Sequence, residues 1–467
     1  MMTLWVMAVL VSAPLELDSV LGSTRQHYPK LLAAEEKVDE ARGKLLGNRG
    51  VFDLKLGADA GRDVLGFYER NEASVGLKQS LSFGGIDLSG GYRYGEDFPP
   101  YDGKLFTSDQ GEGFLKANIP LWQDRAIDAR RLGVRVAEVE IDLAQLSLRQ
   151  TELEILGKAT TTYWKWVATG QKLEIVERLL RLAETRQQAV ERQVQQGSAP
   201  EILLRDNMRL IVSRRGQLVG ARRDLREAAL QLSLFIRDGE GTPVLPDDSQ
   251  LPEEFPEPIA LETGELNVHL EALPETRPDL LFFEQVLQRL AIERRFGENL
   301  GAPTVDVSVE ASQDAGDSVF YGSSSSERTI NETELGIGLT FELPIQRRKG
   351  RGEVMRTSAA TRRVQADLDL AGQEANAELR RAFVRLNAAR EQVDLDREAY
   401  QLSLQLEEAE RRRFQLGQSN LLFVNQREIT SADDASKVIE ALRNYQEAVA
   451  FYRVARGVWG SGIGVAP

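Results

Sequence analysis

The sequence predicts a mainly α-helical protein with a smaller set of β-strands, organised as two similar repeats. Three features of the 467 residues lead to this fold class. The stretch 125–196 contains 72 residues with no proline and only three glycines. A similar stretch recurs about 220 residues later. Regions in which apolar and polar residues alternate precede both stretches, so strands and long helices are expected to alternate along the chain.

The stretch 125–196 has the pattern of one very long helix. A continuous α-helix over it would be roughly 100 Å long. The run breaks at Gly197-Ser198-Ala199-Pro200, and a second helical pattern over 198–236 leads back. We therefore predict a long helical hairpin. The alternating four- and three-residue spacing of a coiled-coil seam appears at Leu132, Val136, Val139, Leu143, Leu146 and Leu153.

The hairpin pattern occurs twice. Subtracting 220 from the later numbers aligns Gly417 with Gly197 and Phe383 with Tyr163. A second long helix is expected over 350–416, with its return helix over 419–456. The predicted organisation is a signal segment (1–13), a first repeat (14–236) with strands in 51–121, an acidic, proline-rich linker (237–275), a second repeat (276–456) with strands in 303–344, and a glycine-rich tail (457–467).

Composition excludes several functional classes. Cysteine is absent and only His27 and His269 are present, which excludes disulfides and thiol nucleophiles and argues against a zinc site. The formal net charge of −14 gives no support to nucleic-acid binding. No glycine-rich phosphate loop lies between a strand and a helix. The apolar run Leu4 to Val11 is typical of a secretory signal, with a buried N-terminal strand as the alternative.

The strand regions have one apolar face. In the second repeat, Leu335, Ile337 and Leu339 alternate with small or polar residues, and the strand ends at Pro344 as an earlier one ends at Pro120. In a soluble sandwich such a face meets a second sheet, whereas in a membrane barrel it meets lipid. Alternation alone leaves both possibilities open.

Short motifs occur in a specific order. They are Ile119-Pro120-Leu121 and Leu343-Pro344-Ile345 at the strand ends, Arg277-Pro278-Asp279-Leu280 opening the second repeat, and Arg413-Phe414-Gln415-Leu416-Gly417-Gln418-Ser419 with Val424-Asn425-Gln426-Arg427-Glu428 at the second turn. With the duplicated order of helices and strands, nearly the whole chain resembles the TolC-like outer-membrane efflux protein family.

The resemblance implies a mainly α fold with membrane β-strands. Each subunit of a homotrimer would lend strands to one shared barrel in the outer membrane of a Gram-negative cell, and long helices to a tunnel through the periplasm. It implies a passive exit duct for efflux or type I secretion, with outer-membrane lipid, a periplasmic adaptor and an inner-membrane transporter as partners, and without enzymatic activity, cofactor or metal. The alternative is a soluble periplasmic coiled-coil adaptor or scaffold.

The chain departs from the family pattern in its strands. About 70 residues separate the first helix from Pro120, against about 42 between Ala302 and Pro344. Four strand-like runs lie where two are expected. Either one hairpin lies outside the barrel, or the strand count exceeds the twelve that the family would have in a trimer.

The turns after the long helices are candidate periplasmic tips. Gly197 and Gly417 supply the backbone freedom that a tight helix reversal requires. Charged residues around them are candidates for ion pairs between the hairpins: Arg192, Glu201, Arg205, Arg413, Arg427 and Glu428.

A candidate constriction follows from the resemblance. Family members often place aspartates six and nine residues after the second turn's glycine, where this chain has Phe423 and Gln426; Leu203 and Asp206 hold the corresponding places in the first hairpin. Three copies of Phe423 could block ions by dewetting, with acidic character supplied by Asp206. In the alternative, Phe423 is a seam residue along with its neighbours.

Two basic clusters follow the strand-ending prolines. Positive charge near a helix N-terminus opposes the helix dipole, so lipid phosphates at the inner membrane interface or acidic neighbours should offset it. The first cluster is Arg125, Arg130 and Arg131; the second is Arg347, Arg348, Lys349 and Arg351.

Overall fold

The computed structural model describes residues 13–65, 71–96, 107–108, 110–198, 200–316, 318–321, 327–330 and 333–459. The predicted signal segment, apart from Ala13, and all but three residues of the predicted tail lie outside these ranges. The helices are α1 (Leu17–His27), α2 (Pro29–Arg49), α3 (Ala129–Gln195), α4 (Ile202–Ser233), α5 (Thr263–Thr276), α6 (Pro278–Asn299), α7 (Arg348–Gln415) and α8 (Leu421–Arg456).

The two long helices are continuous. Helix α3 has 67 residues and α7 has 68, which is roughly 100 Å each. Helix α3 begins at Ala129, four residues later than predicted, because Asp124 has a positive φ of 62° and Asp128 caps the helix by accepting a hydrogen bond from the Arg131 N–H (2.8 Å). Helix α4 begins at Ile202 rather than 198, because the turn extends to Glu201.

The segment that precedes the first strands forms two helices, α1 and α2. Tyr28 has an extended backbone (φ −74°, ψ 120°) between α1 and α2, and Pro29 is the first residue of α2. Proline disfavours the helical conformation in the residue before it but is well placed at a helix start. The break therefore follows from Pro29.

The strands are β1 (Lys55–Arg62), β2 (Asn71–Ser80), β3 (Asp87–Glu96), β4 (Glu112–Pro120), β5 (Thr304–Asp314), β6 (Ser318–Tyr321), β7 (Glu327–Ile330) and β8 (Thr333–Glu342). Six of them form one sheet in the order β1-β2-β3-β4-β5-β8, and every neighbouring pair is antiparallel. Strands β6 and β7 pair separately. All four first-repeat strands therefore belong to the sheet that carries β5 and β8.

The chain divides into two compact units. The first comprises Met1–Glu36, Leu146–Leu281 and Asp369–Pro467, and the second comprises Lys37–Gln145 and Phe282–Leu368. The second unit contains the sheet. The core of the first is helical, with fully buried Trp166, Leu386 and Tyr452.

The acidic linker belongs to the first unit and packs against its helices. Its Phe255 ring stacks on Trp164, with ring centroids 5.1 Å apart. Its Ile259 exchanges two hydrogen bonds with the Tyr445 hydroxyl, which accepts from the Ile259 N–H (2.8 Å) and donates to the carbonyl (3.0 Å). Helix α5 occupies the end of the linker. Apolar side chains therefore hold an otherwise acidic segment in place.

Candidate functional site: the sheet faces and the helix tips

One face of the six-stranded sheet is apolar and uncovered. The register places Ile337 of β8 opposite Val309 of β5, which in turn lies opposite Ala117 of β4. On the same face, Ile337 and Leu339 are 73% and 70% exposed. An uncovered apolar face of this extent marks an interaction surface for lipid or protein. No second sheet covers this face among the described residues.

The opposite face of the sheet carries paired charges. Arg93 of β3 donates hydrogen bonds to Glu112 of β4 and to Glu310 of β5 (3.0 Å for the latter), and the Lys116 ammonium lies 3.2 Å from Glu310. The Arg93 guanidinium also lies over the Phe114 ring, 5.0 Å from its centroid. The sheet is therefore apolar on one face and charged on the other, as in a membrane barrel with a polar interior.

The first basic cluster is largely neutralised within the protein. Arg130 pairs with Asp87 (2.6 Å) and with Asp128 (3.0 Å). Arg131 is buried, pairs with Asp128 (3.3 Å) and donates to the Arg125 carbonyl (2.8 Å). Acidic neighbours, rather than lipid phosphates, therefore offset Arg130 and Arg131.

Contact with the two arginines lowers the pKa of Asp128. Burial alone would raise the pKa of its carboxyl, but hydrogen bonds from Arg131 and Arg130 outweigh burial and lower it. A carboxylate with a lowered folded-state pKa stabilises the fold above its unfolded pKa, about 3.9 for Asp. That contribution is lost as the pH falls through the folded-state pKa.

We expect Asp128→Ala to destabilise the second unit by about 0.5–2 kcal/mol at neutral pH, the usual cost of a lost N-cap. Circular dichroism during heating would measure this, and the difference from wild type should shrink as the pH falls below about 4. The control is Asp142→Ala, since Asp142 is exposed on the same helix. A difference independent of pH would show that the Asp128 charge does not stabilise the cap.

The second basic cluster is different, because all four of its side chains are exposed. Arg347 has a positive φ of 50°, which places it in the turn that leads into α7. Exposed apolar side chains lie close in sequence: Ile345 is 84% and Met355 is 76% exposed. Exposed charge next to exposed apolar surface is typical of a membrane–water boundary.

Both candidate tip turns have the same geometry. Gly197 and Gly417 have φ of 69° and 73°, the left-handed conformation that glycine adopts without strain. The Ser198 N–H donates to the Gln193 carbonyl (2.9 Å), and the Gln418 N–H donates to the Arg413 carbonyl (2.8 Å). Each glycine N–H also donates to the carbonyl three residues earlier (3.0 Å in both turns), so each turn is a Schellman motif.

Most of the proposed tip ion pairs do not join the hairpins. Arg205 pairs with Glu201 (3.0 Å), one turn earlier, and Arg413 pairs with Glu410 (3.3 Å) on its own helix. Arg192 donates to the Gln188 carbonyl (3.2 Å) of its own helix. These side chains find partners one turn away because i,i+3 and i,i+4 neighbours are the nearest. For Arg427, no ion pair is seen with any residue that the structure describes.

Glu428, in contrast, joins the two hairpins, and its side chain is fully buried. Its carboxylate binds Arg186 of α3 and Arg214 of α4, the latter at 3.0 Å. Arg411 of α7 lies 3.8 Å away. Burial lowers the pKa of Arg214, and attraction to Glu428 offsets only part of that shift. One carboxylate of the second hairpin therefore holds two guanidinium groups of the first.

The candidate constriction residues lie at the surface of the protomer. Leu421 and Val424 are 4% and 1% exposed, whereas Phe423 is 57% exposed. Within one protomer, the buried seam of α8 therefore passes beside Phe423. Gln426 and Asp206 are also exposed, and Leu203 is half-buried. What these side chains face in an assembly stays a prediction.

Residues 67–236 match the family model of outer membrane efflux proteins. The predicted family resemblance is confirmed. A comparison with curated proteins finds no match. Among the residues described, no helix is long and apolar enough to cross a membrane, and no cluster of His, Asp or Glu could hold a metal ion.

Solved structures of outer-membrane channels share the fold. The outer membrane protein VceC from Vibrio cholerae is 16% identical, with a TM-score of 0.63 over 95% of this chain and 96% of that one. The open-state MtrE outer membrane channel of Neisseria gonorrhoeae is 16% identical, with a TM-score of 0.66 over 95% and 89%. The CmeC outer membrane channel of Campylobacter jejuni is 14% identical, with a TM-score of 0.60 over 94% and 85%. The predicted helical fold with a small antiparallel sheet is confirmed. The matched family model and these three structures are of outer-membrane proteins.

Proposed function

We propose that this protein is a trimeric exit duct of the outer membrane, which passively conducts substrates delivered by an inner-membrane transporter through a periplasmic adaptor. The observation that carries the proposal is the sheet with one exposed apolar face and one charged face. A single chain cannot close such a sheet, so other subunits must meet its edges. The long helices supply a conduit wall outside the membrane.

Fractionation and conductance test the proposal together. We expect the native protein to remain with outer membranes until detergent is added, to have the mass of a trimer, and to form ion-conducting channels in planar bilayers. Release into the soluble fraction without detergent would overturn the duct and favour the periplasmic adaptor or scaffold. Co-purification with an adaptor and a transporter would identify the system that it serves.

In this proposal, the exposed second basic cluster lies at the periplasmic boundary of the outer membrane. We expect its replacement by four Gln residues to weaken outer-membrane insertion, because each charge contributes about 1 kcal/mol at an anionic lipid surface. Heat-resistant trimer in membranes and helix content by circular dichroism are the two measurements, and only the first should fall.

A matched control removes the same charge elsewhere. Four exposed arginines on α4 are replaced by Gln in the control variant: Arg215, Arg222, Arg223 and Arg226. If both variants insert equally well, the second basic cluster lies in water and does not contact lipid. If both insert equally poorly, total charge rather than position matters.

A further inference from the structure

The sheet ends in two strands that each have only one neighbour. In the order β1-β2-β3-β4-β5-β8, the outer strands β1 and β8 pair only with β2 and β5 among the described strands. All eight residues of β1 are exposed, as are nine of the ten residues of β8. Each edge presents unpaired N–H and C=O groups, which are costly in lipid.

The two edges are compatible in direction. Because all neighbouring strands are antiparallel and six strands lie in the sheet, β1 and β8 run in opposite directions. The β1 edge of one copy can therefore pair with the β8 edge of another as an antiparallel ladder. Repeating that contact closes a ring without any free edge.

The side chains select a register. The strand register places Leu56 of β1 and Phe341 of β8 on the apolar face of the sheet. Placing these two residues opposite each other covers β1 along its whole length with residues 335–342 of β8. A slip by one residue would put apolar side chains on the charged face. A slip by two would separate the next pair, Lys55 and Glu342, which in this register lie opposite each other with complementary charges.

We propose that β1 of one copy pairs with β8 of the next in the register that places Lys55 opposite Glu342, so that three copies close an 18-stranded barrel. The number follows from six strands in each chain and rests on the trimer of the proposed function. The added hairpin β1–β2 lies within the barrel wall. Barrel diameter grows with strand number, and barrels of 16–18 strands leave an aqueous channel. The circumference would be roughly 1.5 times that of a 12-stranded barrel.

Disulfide crosslinking tests the contact directly, because the natural chain has no cysteine. The two variants are Gly57→Cys with Thr340→Cys, and Ala58→Cys with Leu339→Cys. Opposite residues of an antiparallel pair have Cα atoms about 4.5–5.5 Å apart, within the range that a disulfide spans. After oxidation in native membranes, we expect both variants to give covalent dimers and trimers on non-reducing gels, and single-cysteine variants to give neither.

Three results would overturn the inference. The first is no crosslink in membranes where the protein is shown to be trimeric, which would leave the proposed function intact. The second is a crosslink between Ser89→Cys of β3 and Thr340→Cys, since β8 would then meet β3 and the first hairpin would lie outside the barrel. The third is a covalent ladder that ends at the dimer. Loss of membrane association in the natural protein would instead refute the proposed function.

Charge reversal tests the register independently. We expect Lys55→Glu to cause loss of the heat-resistant trimer, because like charges would lie opposite each other beside Glu342. Adding Glu342→Lys should restore the trimer. A double variant as defective as the single one would show that these two residues do not meet, and would overturn the proposed register.

Discussion

Glu428→Gln is expected to destabilise the helical hairpins by about 3–5 kcal/mol, the usual cost of removing one partner from a buried ion pair. The carboxylate is fully buried, and Arg186 and Arg214 are 9% and 2% exposed. Without it, two guanidinium groups face each other in a poorly solvated place. We expect a lower midpoint in heat unfolding followed by circular dichroism.

The control is an exposed pair between α3 and α4, the helices that carry Arg186 and Arg214. Glu184 binds Arg215 at 2.9 Å, with side chains 43% and 62% exposed, and Glu184→Gln should cost only ~0–1 kcal/mol. A third variant replaces Glu428 and its two arginine partners by Met. Because apolar residues of similar volume can replace a buried ion network, it should recover most of the stability. Equal loss of stability in the two Glu→Gln variants would show that the buried ion pair stabilises the protein no more than the exposed one.

Phe423→Ala is expected to raise the resting conductance of the isolated trimer markedly. Phe423 is 57% exposed and lies off the seam of α8, so its ring is free to face the axis of an assembly. Apolar rings at a constriction block ions by dewetting. Because an exposed side chain contributes little to the protomer, thermal stability should change by less than about 0.5 kcal/mol. Single-channel recording in planar bilayers measures the effect.

Two further variants define the constriction. Leu422→Ala, at a neighbouring position that is 71% exposed, is the matched control and should leave conductance unchanged. Asp206→Asn should lessen block by multivalent cations if its carboxylate lies in the ion path. Unchanged conductance of Phe423→Ala together with lower thermal stability would identify Phe423 as a packing residue and place the gate elsewhere.

The fold was predictable where periodicity is long. Helices of 67 and 68 residues repeat their apolar periodicity over many turns, so the helical pattern is clear even where single residues depart from it. Boundaries were less predictable, because they depend on single residues such as Asp128, whose cap fixes the start of α3, and Tyr28, which Pro29 excludes from a helix. The placement of β1 and β2 in one sheet with β5 depends on pairing between distant segments, which alternation does not encode.

The candidate site was predictable only in part. Glu428 was among the expected tip residues, but its partners lie 242 and 214 positions away in the chain. A signal was nevertheless present. Leu421, Val424 and Glu428 follow the spacing of a coiled-coil seam, so an acidic residue occupies a seam position. Such a residue must find a buried cation, although the sequence does not say which one.

The near-equal lengths of α3 and α7 constrain how this protein can evolve. Gly197 follows Pro120 by 77 residues and Gly417 follows Pro344 by 73, a difference of one helical turn, or about 6 Å. Deleting one heptad from α3 and α4 alone would shorten one hairpin by about 10 Å and leave its duplicate at full length. Insertions and deletions must therefore be fixed in both copies together. Because of the duplication, the length of the helical region can change only when all four helices change together.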